Sequence, residues 1–454
     1  MRDTTPETDP PAQARRHTMK GTAMDKPVFE KISVIGMGYI GLPTAAMFAA
    51  RKIHVLGVDI NQTAVDTINR GGIHIVEPDL DMVVHAAVTG GYLRAATEPE
   101  AAEAFLIAVP TPFTGDNHEP DLSYIEAASR AIAPVLEPGN LVILESTSPV
   151  GATEQMAGWL AEARPDLSFP QTHGEESDIR IAHCPERVLP GKVMQELIQN
   201  DRVIGGMTAR CSALATALYR SFVTGDCVIT DVRSAEMAKL TENSFRDVNI
   251  AFANELSLIC DRLGMDVWEV IRLANRHPRV SILNPGPGVG GHCIAVDPWF
   301  IVASAPEEAR MIRMARAVND GKPDWVLDKV AAATKAFLAQ YPKLGPEDVT
   351  VACYGLAFKP DIDDLRESPA LRIVERLAAR HPGPVLAVEP NIDTLPDGLA
   401  EAGQTVALVS LPEAHHRADI HVYLVGHRAF HAAPRPVRYC IDTVGLFSST
   451  TPQG

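Results

Sequence analysis

The chain lacks any apolar run long enough to cross a bilayer. Its most hydrophobic windows, residues 141–144 and 294–303, are interrupted by Glu145 and Asp297 well short of the ~20 residues a membrane helix needs, so no membrane partner is expected. Cysteine is sparse. Cys184, Cys211, Cys227, Cys260, Cys293, Cys353 and Cys440 form neither a disulfide framework nor the CxxC pairs of a zinc site, which points to reduced thiols and a cytoplasmic setting. Positive charge is also in deficit, 41 Lys and Arg against 57 Asp and Glu for a net charge of -16, so nucleic acid is a poor partner and any anionic ligand must be held by local cations. His415, His416, His421, His427 and His431 lack the i, i+4 pairing with a helper carboxylate of zinc hydrolases, and no metal is expected. Residues 1–27 are rich in Pro, Thr and Arg without the apolar centre of a signal peptide; they read as a disordered extension, with Met19 or Met24 as alternative starts.

What is present is globular. With 454 residues, 46% hydrophobic and 22% charged, the chain can bury two or three cores. Residues 31–35 form a β-type run entering Gly36-Met37-Gly38-Tyr39-Ile40-Gly41; a helix at 43–51 and a strand at 54–59 complete a βαβ unit, and strands at 105–109 and 141–145 extend it. Apolar residues at Met237, Leu240, Phe245, Val248, Phe252, Leu256 and Ile259 mark one long helix from 234 to 263, closed by Gly264, whose stripe requires a cover. A strand at 349–354 opens a second α/β region, with further strands at 385–388, 420–424 and 439–441. The expected architecture is two Rossmann-like α/β domains, 28–224 and 323–454, joined by a helical domain at 225–322.

Gly36, Gly38 and Gly41 follow a strand and open a helix, and Asp59 ends the next strand. The glycines let a pyrophosphate approach the backbone at the helix N-terminus, and an acid about 20 residues on can accept ribose hydroxyls, which favours NAD over NADP. Cys293, after the glycine-rich Pro285-Gly286-Pro287-Gly288-Val289-Gly290-Gly291-His292, is set where a substrate can approach, and its thiolate suits covalent capture of an aldehyde; the other six cysteines read as small buried hydrophobes. Asp297 stands four residues on, placed to position water. Lys239, Asn243 and Arg246 share one face of the long helix at i, i+4 and i+7, a spacing equally compatible with a ligand-facing surface and an ordinary solvated one.

Taken in order, residues 33–43 (Ser33-Val34-Ile35-Gly36 through Pro43), Ala108-Val109-Pro110-Thr111-Pro112, residues 144–151 (Leu-Glu-Ser-Thr-Ser-Pro-Val-Gly), residues 184–191 (Cys-Pro-Glu-Arg-Val-Leu-Pro-Gly), 239–249, 275–280, 290–298 and 355–369 resemble the UDP-glucose/GDP-mannose dehydrogenase family over roughly residues 31–445. The resemblance implies four-electron, NAD-dependent oxidation of a UDP-sugar at its primary alcohol, for polysaccharide synthesis, and a homodimer or higher homo-oligomer through the helical domain. It implies Cys293 as nucleophile, Lys239 as acid/base or oxyanion partner beside Asn243, and Glu186, Thr147 and Asp297 as groups that orient water. Tyr39, Ile40, Asp59, Thr111 and Thr153 match NAD-contacting positions. Arg187, Val188, Lys239, Asn243, Arg246, Gly290, Phe358, Lys359 and Arg366 match positions around the nucleotide sugar, with His277 and Arg279 reaching into a neighbouring subunit's site. The wording around Cys293 favours an N-acetylated sugar; another UDP-sugar, or an NAD-binding sensor without turnover, are the alternatives. Val444 departs from the family, standing in the Asp442-Thr443-Val444-Gly445 turn where a basic residue is usual.

Overall fold

A computed structural model describes residues 29–448 except 76, 116–117, 189–190, 292, 402–405 and 438. The N-terminal extension and His292 lie outside the described residues.

Among the described residues, ten strands precede the long helix: β1 (Lys31–Ile35), β2 (His54–Val58), β3 (Leu93–Ala96), β4 (Ala104–Ile107), β5 (Phe113–Thr114), β6 (Glu119–Pro120), β7 (Leu141–Leu144), β8 (Arg180–His183), β9 (Arg202–Gly206) and β10 (Cys227–Asp231). Eight of them form one sheet in the order β10-β9-β8-β7-β4-β1-β2-β3, while β5 and β6 make a small hairpin. Pairing is parallel except at β8–β9, where Ala182 faces Gly206 and His183 faces Gly205. Apolar runs such as Phe105-Leu106-Ile107 and Leu141 through Leu144 are fully buried, because helices cover both faces of the sheet. β10 belongs to this sheet, so the sheet continues past residue 224, into the stretch read from sequence as helical.

The strand order reverses at β1, flanked by β2 and β4, and this opens a crevice at the strands' C-terminal ends. Gly36 turns there with φ +91°, a conformation glycine adopts without strain, and a Cβ would lie 2.5 Å from Ala108 O.

The helix Val232–Leu263 then runs out of the first domain, capped by the Asp231 side chain at Ser234 N–H and by Gly264 at φ +68°. It packs on the helices Asp297–Ser304 and Arg310–Gln340. The second of these, with Pro323 inside it, continues unbroken across the 322/323 boundary drawn from sequence. Between the helices lies a buried polar chain: Arg316 to Asp247 at 2.7 Å, Asn319 to Asp247 at 2.8 Å and Asn254 to Asn319 at 2.8 Å. Asn254 also accepts the Gly286 N–H at 2.8 Å, which ties the glycine-rich loop to the helix pair.

The C-terminal sheet contains β11 (Val351–Tyr354), β12 (Val385–Val388), β13 (Val406–Leu408), β14 (Ile420–Tyr423) and β15 (Tyr439–Asp442), all parallel in the order β13-β12-β11-β14-β15. Two α/β domains with a helical middle is thus the architecture. Among the described residues no helix is long and apolar enough to cross a membrane.

Candidate active site

Around the first crevice, Gly38 has open space where a side chain would stand, and no side chain caps the helix Gly41–Ala50. Asp59 accepts from Met37 N–H and Asn61 N–H, both at 2.9 Å, which sets its half-buried carboxylate against the glycine turn. Tyr39 and Ile40 are half-buried beside it. Sequence reasoning passed over Ile60, whose side chain is 91% exposed immediately after Asp59, an apolar surface at the mouth of the crevice. At the ends of β4 and β7, Thr111 donates its hydroxyl to Thr147 O, and Ser146 donates to Val109 O at 2.7 Å. Thr153 is turned inward: it is fully buried, and its N–H and hydroxyl both donate to Glu236 Oε1, at 2.8 and 2.6 Å. Glu236, from the long helix, also takes Gly151 N–H at 2.6 Å and so caps the helix Ala152–Ala163 across the domain junction.

Cys293 is exposed, the other cysteines buried or half-buried. Its carbonyl accepts the N–H of Asp297 at 2.9 Å, so thiol and carboxylate sit in one turn entering the helix Asp297–Ser304. The residue as a whole is exposed, yet protein atoms crowd its thiol. That crowding, and next the Asp297 carboxylate, push it up, whereas Lys239, Arg246 and Arg366 pull it down. Asp297 is itself buried, and desolvation pushes its carboxyl up to about 6, with Lys239 and an Asn243 hydrogen bond opposing. Asn243 Nδ2 donates to Asp297 Oδ2 at 2.6 Å. Lys239 and Asn243 are buried and Arg246 is exposed, so the helix face drawn from sequence spans from interior to cleft.

The C-terminal domain reaches the same place. A Cβ on Gly290 would lie 2.5 Å from Glu367 O, and one on Gly291 would lie 3.1 Å from the Phe358 ring. Backbone rides on side chain with nothing between. Arg366 is held by Asp364 at 2.8 and 2.7 Å, and its guanidinium lies 4.7 Å from the centre of the Tyr39 ring. Burial pulls the Lys359 ammonium down while Glu77 and Asp364 support it.

Two expected residues carry unforeseen partners. Glu186 accepts from Arg187 N–H and from the buried Arg202, each at 2.6 Å, so both oxygens are engaged within the protein. Arg187 pairs with Glu242 at 2.5 Å, while Val188 packs against the first core. His277 and Arg279 lie exposed beyond the helix Val267–Ala274. Arg202 and Glu236 gave no signal in the sequence, because their partners lie far off in the chain.

Three family models match: the NAD binding domain over residues 30–223, the central domain over 233–321 and the UDP binding domain over 352–447. The chain belongs to the UDP-glucose/GDP-mannose dehydrogenase family. As a member it is an NAD-dependent oxidoreductase with a domain for a UDP-sugar substrate. A Yersinia pestis protein named UDP-N-acetyl-D-mannosamine dehydrogenase is 66% identical over 422 residues, 92% of this chain and 99% of its own length. A Ralstonia nicotianae protein named NDP-N-acetyl-D-galactosaminuronic acid dehydrogenase is 63% identical, covering 93% of this chain and 97% of its own. The solved UDP-D-ManNAc dehydrogenase of Pyrococcus horikoshii is 38% identical with a TM-score of 0.81, over 93% of this chain and 97% of that one.

Proposed function

We propose that this dehydrogenase oxidises C6 of UDP-N-acetyl-D-mannosamine from alcohol to carboxylate in the cytoplasm, through a thiohemiacetal and then a thioester on Cys293, and supplies a uronate for polysaccharide assembly. The observation that carries it is the convergence on Cys293 of Asp297 from its own turn, Lys239 from the long helix and Arg366 from the C-terminal domain. The relatives named for this sugar, one of them 66% identical, support the substrate.

NAD, when bound, would supply the hydride acceptor for both oxidations. Gly36, Gly38, Gly41 and the free helix N-terminus fit its pyrophosphate, Asp59 its ribose, and Tyr39, Ile40 and Thr111 its flank. Thr153 supports this wall through Glu236. Lys239, buried beside Asn243, takes the proton of the C6 alcohol on its neutral amine, and the ammonium so formed stabilises oxyanion character. The Cys293 thiolate adds to the aldehyde, and covalent capture keeps it from escaping before the second oxidation. Asp297, oriented by Asn243, accepts a proton from the water that cleaves the thioester; Thr147 stands at the cleft wall, and Glu186 fixes the loop bearing Arg187 and Val188. Arg246, Lys359 and Arg366 meet the phosphates, and Phe358 with Gly290 shapes the floor.

Met237, Phe245, Phe252 and Ile259 of the long helix are exposed, and an apolar face of this length supports a homodimer in which His277 and Arg279 reach the partner's site. The Ralstonia relative supports a second reading, oxidation of an N-acetylgalactosamine nucleotide. Purified protein with NAD and a panel of UDP-sugars decides between them. UDP-N-acetyl-D-mannosamine is expected to give the highest kcat/KM and two reduced cofactors per sugar, whereas one per sugar would exclude the thioester route. Cys293→Ala is expected to lower turnover by roughly three orders of magnitude with NAD affinity kept.

A further inference from the structure

The two sheets share one plan. Gly36 follows β1 at φ +91° and donates its N–H to Val58 O at 2.8 Å; Gly355 follows β11 at φ +93° and donates to Val388 O at 2.8 Å. A Cβ on Gly355 would lie 2.4 Å from Val425, past the end of β14, as one on Gly36 would strike Ala108 past the end of β4. In each domain the next strand ends in a carboxylate that takes the N–H after the glycine, Asp59 from Met37 at 2.9 Å and Glu389 from Leu356 at 2.8 Å.

There the two part. Asp59 remains half-buried at the crevice mouth, but Glu389 is buried, taking Ala357 N–H at 3.1 Å and Asn391 at 3.1 and 3.0 Å. His427, fully buried, closes on it with Nε2 3.0 Å from Glu389 Oε2. The other ring nitrogen, Nδ1, accepts Asp361 N–H at 3.0 Å, with Asn391 Nδ2 also 3.2 Å away. Accepting at Nδ1 leaves the proton on Nε2, facing Glu389. Asp361 needs such a hold: its φ of +61° is costly for a residue with a side chain, and Arg428 grips its carboxylate at 3.0 and 2.8 Å. Ser368 closes the turn by donating to Leu356 O at 2.6 Å.

The segment fixed at 356–357, 361 and 368 carries Phe358, Lys359 and Arg366, and Phe358 underlies Gly291, two residues before Cys293. We propose that Glu389 and His427 are positioning residues, a carboxylate–imidazole couple that fills the ribose-acid place of the second fold and sets the 356–366 turn against the nucleotide sugar. The proposal rests on reading that turn as a substrate contact.

Calorimetry with UDP and with NAD, on the full chain, tests it without turnover. His427→Ala is expected to weaken UDP binding about tenfold or more, with NAD affinity within about twofold and the nucleotide-sugar KM rising more than kcat falls. His427→Gln, whose amide can donate to Glu389 or accept from Asp361, is expected to recover most of the loss. Unchanged UDP affinity in folded His427→Ala, an equal loss of NAD affinity, or a glutamine variant no better than alanine would each overturn it. If His427→Ala does not fold, Glu389→Gln decides, because its amide still accepts from Leu356 but no longer holds the imidazole by charge; wild-type UDP affinity there overturns the proposal. A wild-type chain that binds UDP but oxidises no UDP-sugar would sink the reaction and leave this test standing.

Discussion

Asp297 and Cys293 sit one turn apart and want opposite things from their surroundings. Burial lifts both groups toward their neutral forms, while the proposed reaction needs a thiolate for attack and a carboxylate for drawing a proton from water. Because the folded Asp297 value, about 6, lies above its ordinary 3.8, the protonated form steadies the fold at low pH, and that contribution is lost as pH rises through about 6. Proton acceptance grows over the same interval, so hydrolysis of the thioester is expected to rise through pH 6 and to lose that limb in Asp297→Asn. The same variant removes the negative charge beside the thiol. Alkylation of Cys293 by iodoacetamide, followed against pH, is therefore expected to show a lower midpoint in Asp297→Asn and a higher one in Lys239→Met. Identical midpoints in all three proteins would mean that these charges do not govern the thiol.

The long helix shows how an element can be legible in outline and hidden in its packing. Its span and its Gly264 stop were readable from periodicity and cap chemistry, as were the glycine turn, Asp59 and the placement of Cys293 in a loop. The apolar stripe was readable too, but not what covers it. Within the chain the helix buries Glu236, Lys239, Asn243, Asp247 and Asn254, and leaves Phe245 and Phe252 more than half exposed, at 68% and 57%. Buried polar residues stay hidden in a sequence because their partners are remote: Asp247 meets Arg316, Asn243 meets Asp297, and Glu236 caps a helix in another domain. The pairing of Glu186 with Arg202 escaped for the same reason. With the polar face turned inward, the apolar one is left exposed, and the proposed homodimer would cover it. Phe252→Glu is expected to halve the mass measured by light scattering at micromolar concentration, since a carboxylate buried without a partner costs several kcal/mol; an unchanged mass would place the interface elsewhere.

At the scale of the whole molecule, a chain of net charge -16 has to hold the diphosphate of a UDP-sugar, and on the proposed reading it does so with cations brought from different domains to one cleft. Lys239 and Arg246 come from the central helix, Lys359 and Arg366 from the turn after β11. Arg366 is the member that touches all three parts: Asp364 braces it in its own domain, its guanidinium faces the Tyr39 ring of the NAD turn, and its charge favours the Cys293 thiolate. On the proposed reading of the site, a side chain so placed would couple substrate binding to the readiness of the Cys293 thiol, which separates it from a cation that merely meets phosphate. Arg366→Leu is expected to raise the nucleotide-sugar KM about tenfold or more and also to move the alkylation midpoint of Cys293 upward in the absence of substrate. Arg366→Lys keeps the charge and loses the planar group over Tyr39, so it is expected to restore the midpoint more fully than the KM. A leucine variant with the higher KM but an unmoved midpoint would reduce Arg366 to a phosphate ligand, and one with neither change would remove it from the site.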